Sequence, residues 1–374
     1  MGKIFLLLCI FCCLLPEKNA GAVAQSAKSA CLINGVTGEV LYEKNSQERM
    51  PMASTTKIMT LLTALEESEM DETVTVSYNA DMAEGSSAYV EAGAQIKMKD
   101  LLYGLMLNSG NDAAIAVAEH ISGSEEEFAV KMNLLAGKIG AENTQFKNPN
   151  GLDSEGHFTT AQDLAQITRY AMKNREFREI VSSKLYKAEF IRKNGEIKKL
   201  EYINHNRLLR EYEGCTGVKT GFTKLSGRCL VSAAERDGAL YIAVTLNSPN
   251  DWSEHKKMLD YAFSDSQTVT AVSEGECIKH IKSGGKECKL VAADDFVIPY
   301  NGGVHDITLS LNLPQKLDMP LNAGEKVGYA DILSDGEKVG ETDIIAQTDF
   351  VPDEENSTKT CFGFIFKNII RNIL

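Results

Sequence analysis

The chain has 374 residues, enough for a large core and a second domain on the usual scale of about 100 to 200 residues per domain. Its 52 acidic and 39 basic residues give a formal net charge of −13. This excess of negative charge disfavours nucleic acid as a partner, because phosphate backbones are bound by basic surfaces.

The first residues are typical of a secretory signal peptide. Lys3 supplies the positive start, residues 4–15 form the apolar run, and Ala22-Val23-Ala24 is a small-residue cleavage site. The run is about a dozen residues, whereas a membrane-spanning helix needs roughly twenty, so a permanent N-terminal anchor is the weaker alternative. We therefore predict a signal peptide over residues 1–24 and a mature chain that is exported from the cytoplasm.

Six cysteines follow the predicted leader: Cys31, Cys215, Cys229, Cys277, Cys288 and Cys361. None of these six forms a Cys-x-x-Cys pair, so we predict no metal site and no cofactor. In an exported chain they could form up to three disulfides, and Cys277 and Cys288 flank a Ser-Gly-Gly turn that a hairpin could bridge. The alternative, free and buried cysteines, is equally open for Cys31, Cys215 and Cys229.

The first half of the mature chain is mostly helical in pattern. Two short apolar runs predict an opening hairpin, and a strongly helical run begins at Ser54. Further predicted helices cover residues 98–107, 112–121, 125–139 and 160–172, the last with Thr160 as a capping residue.

Strand patterns replace helical ones after about residue 177. Two hairpins are predicted, at 186–191 with 197–202 and at 228–234 with 239–246, around Asn-Gly and Asp-Gly turns. A helix over 251–263 would close this part of the chain. Strands, helices, strands and helix together predict an α+β fold, an antiparallel sheet covered by helices.

The remainder divides into a strand-rich segment and a tail. Residues 267–350 show only strands and turns, which predicts a small all-β domain. A polar linker precedes residues 361–374, where five apolar residues share one helical face and Lys367 and Arg371 lie opposite. We predict an interfacial amphipathic helix that binds a membrane surface; a helix docked on the protein is the alternative.

Three short motifs occur in one order: Ser54 to Lys57, Ser109 to Asn111, and Lys219-Thr220-Gly221. Further Ser-x-x-Lys and Ser-x-Asn copies lie after the third motif, so only the first copies can belong to the ordered set. Ser54 and Lys57 lie one helical turn apart on one face, which puts a nucleophile within reach of a base. The ordered set is typical of a serine acyl-transferase that needs no histidine.

The segments around these motifs resemble the active-site motifs of D-alanyl-D-alanine carboxypeptidases, the low-molecular-mass penicillin-binding proteins. They read PMASTTKIMT from Pro51, NSGNDA from Asn108 and GVKTGFT from Gly217. The same three motifs mark class A β-lactamases. The resemblance extends through Asn148 to Leu152 with Gly156-His157, and through Asn204 to Asn206, and it covers residues 30–263.

This resemblance implies a β-lactamase/penicillin-binding-like catalytic domain over residues 25–265. An all-β domain over 266–352 and a linker with a membrane-associating helix over 353–374 would follow. The implied partners are peptidoglycan stem peptides as substrate and β-lactam antibiotics as covalent inhibitors, at the extracytoplasmic face of the membrane or in the cell wall.

The family's catalytic roles fall on matching residues of this sequence. Ser54 is the implied nucleophile, and Lys57 is its base if burial and a neighbouring cation disfavour the charged amine. Ser109 would pass a proton to the departing amine, and Asn111 would hold Lys57 and a substrate amide.

The third motif and two backbone groups complete the implied site. Lys219 would be the neighbouring cation and would pair with the terminal carboxylate of the substrate, with Thr220 helping. Gly221 would let the substrate backbone lie along the strand. The backbone N–H groups of Ser54 and Phe222 are the expected oxyanion hole.

Two other functions share parts of this pattern. A class A β-lactamase would need a Glu that activates the deacylating water, for which Glu142 and Glu155 are the nearest candidates. A non-catalytic wall-binding protein could keep the fold. His205 stands where many relatives carry an arginine, and we assign it no role.

Overall fold

The computed structural model describes residues 23–264, 266–283, 285–300 and 306–352. The predicted leader up to residue 22 and the predicted tail from residue 353 lie outside these ranges. The chain divides into two compact units, the first ending at Ser266 and the second beginning at Gln267. Within the described ranges, every helix is too short or too polar to cross a membrane.

The first unit mixes helices with antiparallel strands. Its strands are β1 (Ser29–Asn34), β2 (Val40–Lys44), β3 (Thr73–Thr75), β4 (Gln95–Lys97), β5 (Leu185–Ile191), β6 (Ile197–Ile203), β7 (Cys215–Thr223), β8 (Gly227–Arg236) and β9 (Ala239–Leu246). Its helices are α1 (Lys57–Glu67), α2 (Tyr78–Asp81), α3 (Met98–Leu107), α4 (Asn111–Ser122), α5 (Glu125–Ile139), α6 (Ala161–Ala171), α7 (Arg175–Ser182), α8 (Leu208–Glu211) and α9 (Asp251–Ser264).

The main sheet has the order β2-β1-β9-β8-β7, and all its pairs are antiparallel. Successive side chains of a strand point to opposite faces. In β1, Leu32 therefore packs with Met258 and Leu259 of α9, while Ile33 packs into the larger helical core on the other face. Strands β1 and β9 and most of β8 are buried on both faces, and the edge strand β7 lies beside the turn that leads into α1.

A second antiparallel sheet has the order β3-β4-β5-β6. The sequence predicted its β5–β6 hairpin but not the two short strands β3 and β4. Each of these strands has three residues and only one buried side chain, Val74 or Ile96. Such short runs show no alternation that can be distinguished from a helix.

Most predicted elements lie where the pattern put them. Helices α3 and α5 and strand β9 have the predicted bounds, and α6 begins after Thr160. The Thr160 hydroxyl accepts a hydrogen bond from the Asp163 N–H at 3.0 Å, which is the predicted capping contact. The predicted α+β class is confirmed.

In its described residues, the second unit consists of strands and turns, as predicted. They are β10 (Gln267–Val272), β11 (Cys277–Ser283), β12 (Lys286–Ala292), β13 (Phe296–Tyr300), β14 (Ile307–Asn312), β15 (Lys326–Ser334) and β16 (Glu337–Ala346). Five of them form a sheet in the order β11-β12-β16-β15-β14, and β10 pairs with β13. Leu290, Ala330 and Ile344 are fully buried in the core of this unit.

The suggested disulfide between Cys277 and Cys288 is wrong. In the β11–β12 hairpin Cys277 lies opposite Val291 and Cys288 lies opposite Ile281, so the two thiols are out of register. The five cysteines in the described ranges are all free. Burial raises the pKa of the Cys31 thiol to about 12, as expected for a cysteine that packs as an apolar side chain.

Candidate active site

The first motif forms the turn that leads into α1. Ser54 lies in a 3-10 helix, Ala53–Thr56, and Lys57 is the first residue of α1. Side chains three residues apart eclipse each other in a 3-10 helix, so Lys57 and Ser54 share one side of the turn. The Lys57 Nζ donates to the Ser54 Oγ at 3.1 Å.

Lys57 is fully buried and surrounded by oxygen acceptors. Its Nζ lies 2.7 Å from the Asn111 Oδ1 and 2.6 Å from the carbonyl oxygen of Asn150. Burial, and next the charge of Lys219, hold the pKa of Lys57 well below its ordinary 10.5, while Asp112 opposes the shift. A neutral amine would give its two hydrogens to the two amide oxygens and keep its lone pair for the Ser54 hydroxyl.

The second motif connects α3 to α4. Ser109 has φ +60° and is almost completely buried, and it lines the same pocket as Ser54. Asn111 opens α4 and holds Lys57 through its Oδ1, while its Nδ2 donates to the carbonyl oxygen of Glu84 at 2.6 Å. Gly110 is the residue at the N-cap of α4, so Ser109 and Asn111 do not serve as its capping side chains.

The third motif lies on the edge strand β7. Lys219 is buried, and its Nζ donates to the carbonyl oxygen of Thr220 at 2.9 Å. Burial lowers the pKa of Lys219 to about 7. A Cβ added to Gly221 would lie 3.0 Å from the Ser54 nitrogen, so the strand passes directly beside Ser54. Glycine permits this close approach.

A pocket of about 340 Å³ opens over these groups. It is lined by Ser54, Ser86, Ser109, His205, Thr220, Gly221, Phe222, Arg228, Cys229, Asp251 and Trp252. The structure therefore brings five predicted residues to one surface, while Lys57, Asn111 and Lys219 lie behind that surface. At the far side, Arg228 donates from its Nε and Nη2 to both oxygens of Asp251, at 3.0 and 2.9 Å.

His205, which was assigned no role from its sequence context, lies in this pocket. Burial, and next the charge of Lys219, lower its pKa below the ordinary 6.5, so the ring is neutral at pH 7. A neutral imidazole offers one donor and one acceptor, not the fixed positive charge of an arginine.

The loop from Lys147 to His157 supports the first motif from behind, a role that sequence reasoning missed. The carbonyl oxygens of Pro149 and Asn150 accept from Thr60 and Lys57, both at 2.6 Å. Gly151 has φ +88°, and a Cβ there would lie 2.1 Å from the carbonyl oxygen of Ala53. An Asn-Pro-Asn-Gly run indicates a turn, but backbone carbonyls carry no residue type that could mark them as functional.

Asp112 anchors a second loop at the rim of the pocket. Its carboxylate accepts from the Ser87 hydroxyl at 2.6 Å and from the N–H groups of Ala88 and Val90 at 2.7 and 3.3 Å. The loop that carries Ser86 is thereby tied to the first turn of α4. The site thus combines a serine in contact with a buried amine, a second serine and an edge strand, an arrangement that can perform acyl transfer without a histidine.

Comparisons with known proteins agree with this chemistry. The family model described as D-alanyl-D-alanine carboxypeptidase matches residues 17–250, and that of the penicillin-binding protein 5 C-terminal domain matches residues 267–351. The chain is 36% identical to D-alanyl-D-alanine carboxypeptidase DacF of Bacillus subtilis, covering 83% of this chain and 82% of that protein. It is 30% identical to DacC of Escherichia coli, covering 88% and 86%.

Solved structures show the same likeness. The crystal structure of the Streptomyces K15 DD-transpeptidase has a TM-score of 0.61 and 34% identity, and the match covers 64% of this chain and 97% of that chain. The carboxypeptidase DacD from Francisella tularensis has a TM-score of 0.61 and 26% identity, and the match covers 87% and 94%.

Proposed function

The chain belongs to the D-alanyl-D-alanine carboxypeptidase family and is a serine-type carboxypeptidase of the cell wall, and we propose that its acyl-enzyme forms on Ser54. The observation that carries the proposal is the contact between the Ser54 hydroxyl and the fully buried amine of Lys57. The reaction removes the terminal D-alanine from a peptidoglycan stem peptide.

In the acylation step the Ser54 Oγ attacks the carbonyl carbon of the penultimate D-alanine. Its proton passes to the Lys57 Nζ, whose lowered pKa keeps it available as a base. The developing oxyanion is stabilised by the backbone N–H groups of Ser54 and Phe222. The close approach of Gly221 to the Ser54 nitrogen supports this pairing, because it brings the edge of β7 beside the turn.

Collapse of the tetrahedral intermediate breaks the C–N bond. The leaving amine takes the proton of the Ser109 hydroxyl, and Ser109 regains one from the Lys57 ammonium. A water molecule then attacks the ester, gives a proton to Lys57, and Ser54 leaves with a proton returned from that amine. Asn111 keeps Lys57 in place throughout by its hydrogen bond.

Recognition of the free carboxylate is assigned to Lys219, Thr220 and Gly221. The Lys219 ammonium is buried directly behind Thr220, which lines the pocket. A carboxylate that binds at Thr220 would stabilise the charged form of Lys219 and raise its pKa. The strand edge at Gly221 leaves room for the substrate backbone.

The β-lactamase alternative lacks its carboxylate base. Both candidates, Glu142 and Glu155, are exposed, and neither lines the pocket. Among the described residues of the pocket wall, Asp251 is the one carboxylate, and both its oxygens bind Arg228. The geometry therefore favours slow hydrolysis of a penicilloyl enzyme.

The decisive experiment is intact mass spectrometry of the purified mature protein after incubation with benzylpenicillin, with Ser54→Ala as the control. We expect one penicilloyl adduct in the parent protein and none in Ser54→Ala. Rapid penicillin consumption without an adduct would mean a β-lactamase. If neither an adduct nor penicillin consumption is observed, the non-catalytic wall-binding function is favoured.

Export and membrane attachment are further proposals. We propose that residues 1–24 are a cleaved leader and that residues 361–374 bind a membrane surface as an amphipathic helix. Ala24, the last residue of the proposed leader, is buried, and its carbonyl oxygen lies 3.4 Å from the Lys44 Nζ. The mass of the N-terminal peptide of the exported protein therefore has to show whether cleavage follows this residue.

Removal of residues 361–374 should release the protein from anionic vesicles without altering peptidase activity. Unchanged vesicle binding would favour the docked helix.

We also propose that residues 25–265 form the catalytic domain and residues 266–352 an accessory domain. The division of the fold between Ser266 and Gln267 supports this boundary. Residues 25–265 produced alone should acylate with benzylpenicillin at the rate of the longer chain. Loss of folding in this fragment would contradict the boundary.

A further inference from the structure

The residue before the proposed nucleophile has a backbone conformation that needs support. Ala53 has φ +49°, in the left-handed region that glycine adopts readily and that residues with a Cβ rarely adopt. The peptide bond from Ala53 to Ser54 is planar, so the Ala53 carbonyl and the Ser54 N–H point in opposite directions. Any contact that fixes this carbonyl therefore also fixes the direction of that N–H.

A chain of three hydrogen bonds, of which the last two are buried, ends on this carbonyl. The Lys147 N–H lies 2.9 Å from the His157 Nδ1, and the His157 Nε2 lies 2.8 Å from the Thr56 Oγ1. The Thr56 Oγ1 lies 2.8 Å from the carbonyl oxygen of Ala53.

The direction of every bond in this chain is determined. The Lys147 N–H can only donate, so the His157 Nδ1 accepts, and the proton of the neutral ring is on Nε2. The Nε2–H then donates to the Thr56 Oγ1. The single hydroxyl proton of Thr56 remains for the Ala53 carbonyl, which can only accept.

Burial keeps this chain intact. Thr56 is completely buried and His157 is 6% exposed, so water does not compete for these groups. Burial lowers the pKa of His157 to about 4, which keeps the ring neutral at pH 7. Gly151 also packs against the Ala53 carbonyl, where an added Cβ would lie 2.1 Å from the oxygen.

We propose that His157 and Thr56 are positioning residues of the oxyanion hole, which hold the Ala53 carbonyl and thereby aim the Ser54 N–H at the developing oxyanion. The inference rests on the proposed role of the Ser54 N–H in acylation. Neither side chain lines the pocket, so both act through the Ala53–Ser54 peptide unit.

The test measures the acylation rate constant and the dissociation constant of the non-covalent complex with benzylpenicillin, by rapid mixing with the full mature protein. Loss of one oxyanion donor costs about 10²- to 10³-fold in rate. In Thr56→Val the donor remains but loses its support, so we expect about a 10- to 100-fold slower acylation. The dissociation constant should stay within about twofold, and Thr56→Ser should recover most of the rate.

Thr55→Val is the matched control. Thr55 is the neighbouring buried threonine, and its hydroxyl donates to the carbonyl oxygen of Met52 at 2.6 Å. That carbonyl belongs to the peptide unit before Ala53, so its loss should leave the acylation rate within about threefold of the parent protein. An equal loss in Thr55→Val and Thr56→Val would overturn the proposal.

His157→Phe, which removes both ring nitrogens, should lower the acylation rate as Thr56→Val does. Because the two residues act in series, the double variant should be no slower than Thr56→Val. The positioning role is refuted if the rate losses of the two single variants multiply in the double variant, or if Thr56→Val acylates at the full rate. Absence of any adduct on Ser54 in the parent protein would instead refute the proposed function, so the two failures are distinguishable.

Discussion

Gly151 provides the sharpest test of how the supporting loop holds Ser54, the proposed nucleophile. A Cβ built at this position would lie 2.1 Å from the carbonyl oxygen of Ala53, 2.5 Å from its carbon and 2.9 Å from the Ser54 nitrogen. Moving the carbonyl oxygen to a tolerable 3.0 Å requires a shift of about 0.9 Å, the difference between 3.0 and 2.1 Å. Gly151 also has φ +88°, which an alanine adopts only with strain.

The required shift falls on the peptide unit that carries the Ser54 N–H. Misplacement of reacting groups by about 1 Å can cost 10²-fold in rate. We therefore expect Gly151→Ala to acylate with benzylpenicillin at least about 100-fold more slowly than the parent protein. The free energy of unfolding should fall by about 1–3 kcal/mol, because strain and a close contact are introduced together.

Gly137→Ala is the control for this change. Gly137 lies within α5, where an added Cβ would have no atom within 4 Å, and it needs no left-handed backbone. That substitution should stabilise the protein by about 0.4–1 kcal/mol and leave acylation unchanged. The assays are rapid-mixing acylation and denaturant unfolding. A folded Gly151→Ala that acylates within a few-fold of the parent rate would refute the argument that this loop fixes the Ala53–Ser54 peptide.

Three further predictions concern charge and domain independence. On a D-Ala-D-Ala peptide, kcat/KM should rise with pH as Lys57 loses its proton, well below pH 10.5, and should fall above about pH 7 as Lys219 becomes neutral. A value of kcat/KM that is constant from pH 6 to 9 would contradict this assignment. Lys219→Ala should lower kcat/KM by about 10- to 150-fold on peptides with a free carboxylate, which corresponds to the loss of a charge-assisted hydrogen bond of about 1.5–3 kcal/mol. The same substitution should remove the fall of kcat/KM at high pH. Equal losses on amidated and free peptides would show that Lys219 does not serve the carboxylate. Leu290→Ala, in the core of the second unit, should destabilise that unit by about 2–5 kcal/mol in calorimetry while acylation by the first unit stays at the parent rate.

Local sequence was sufficient for elements with a strong periodic pattern. Helices α3 and α5 and strand β9 were predicted with their bounds, because long apolar repeats and capping residues act within one segment. The three-residue strands β3 and β4 were missed, since β3 pairs with β4 and β4 pairs with β5, which lies about 95 residues further along the chain. The suggested Cys277–Cys288 disulfide failed for a similar reason, because strand register is set by pairing and not by spacing.

The chemistry of this protein can be predicted without a structure, because Ser54 to Lys57, Ser109 to Asn111 and Lys219 to Gly221 are side-chain motifs whose order identifies the family. How that chemistry is supported is visible only in the folded chain. The carbonyls of Pro149 and Asn150 and the ring of His157 contact the turn of the proposed nucleophile and helix α1 from about 90 to 100 residues away. Backbone groups have the same composition at every position, so their function arises from where the fold puts them.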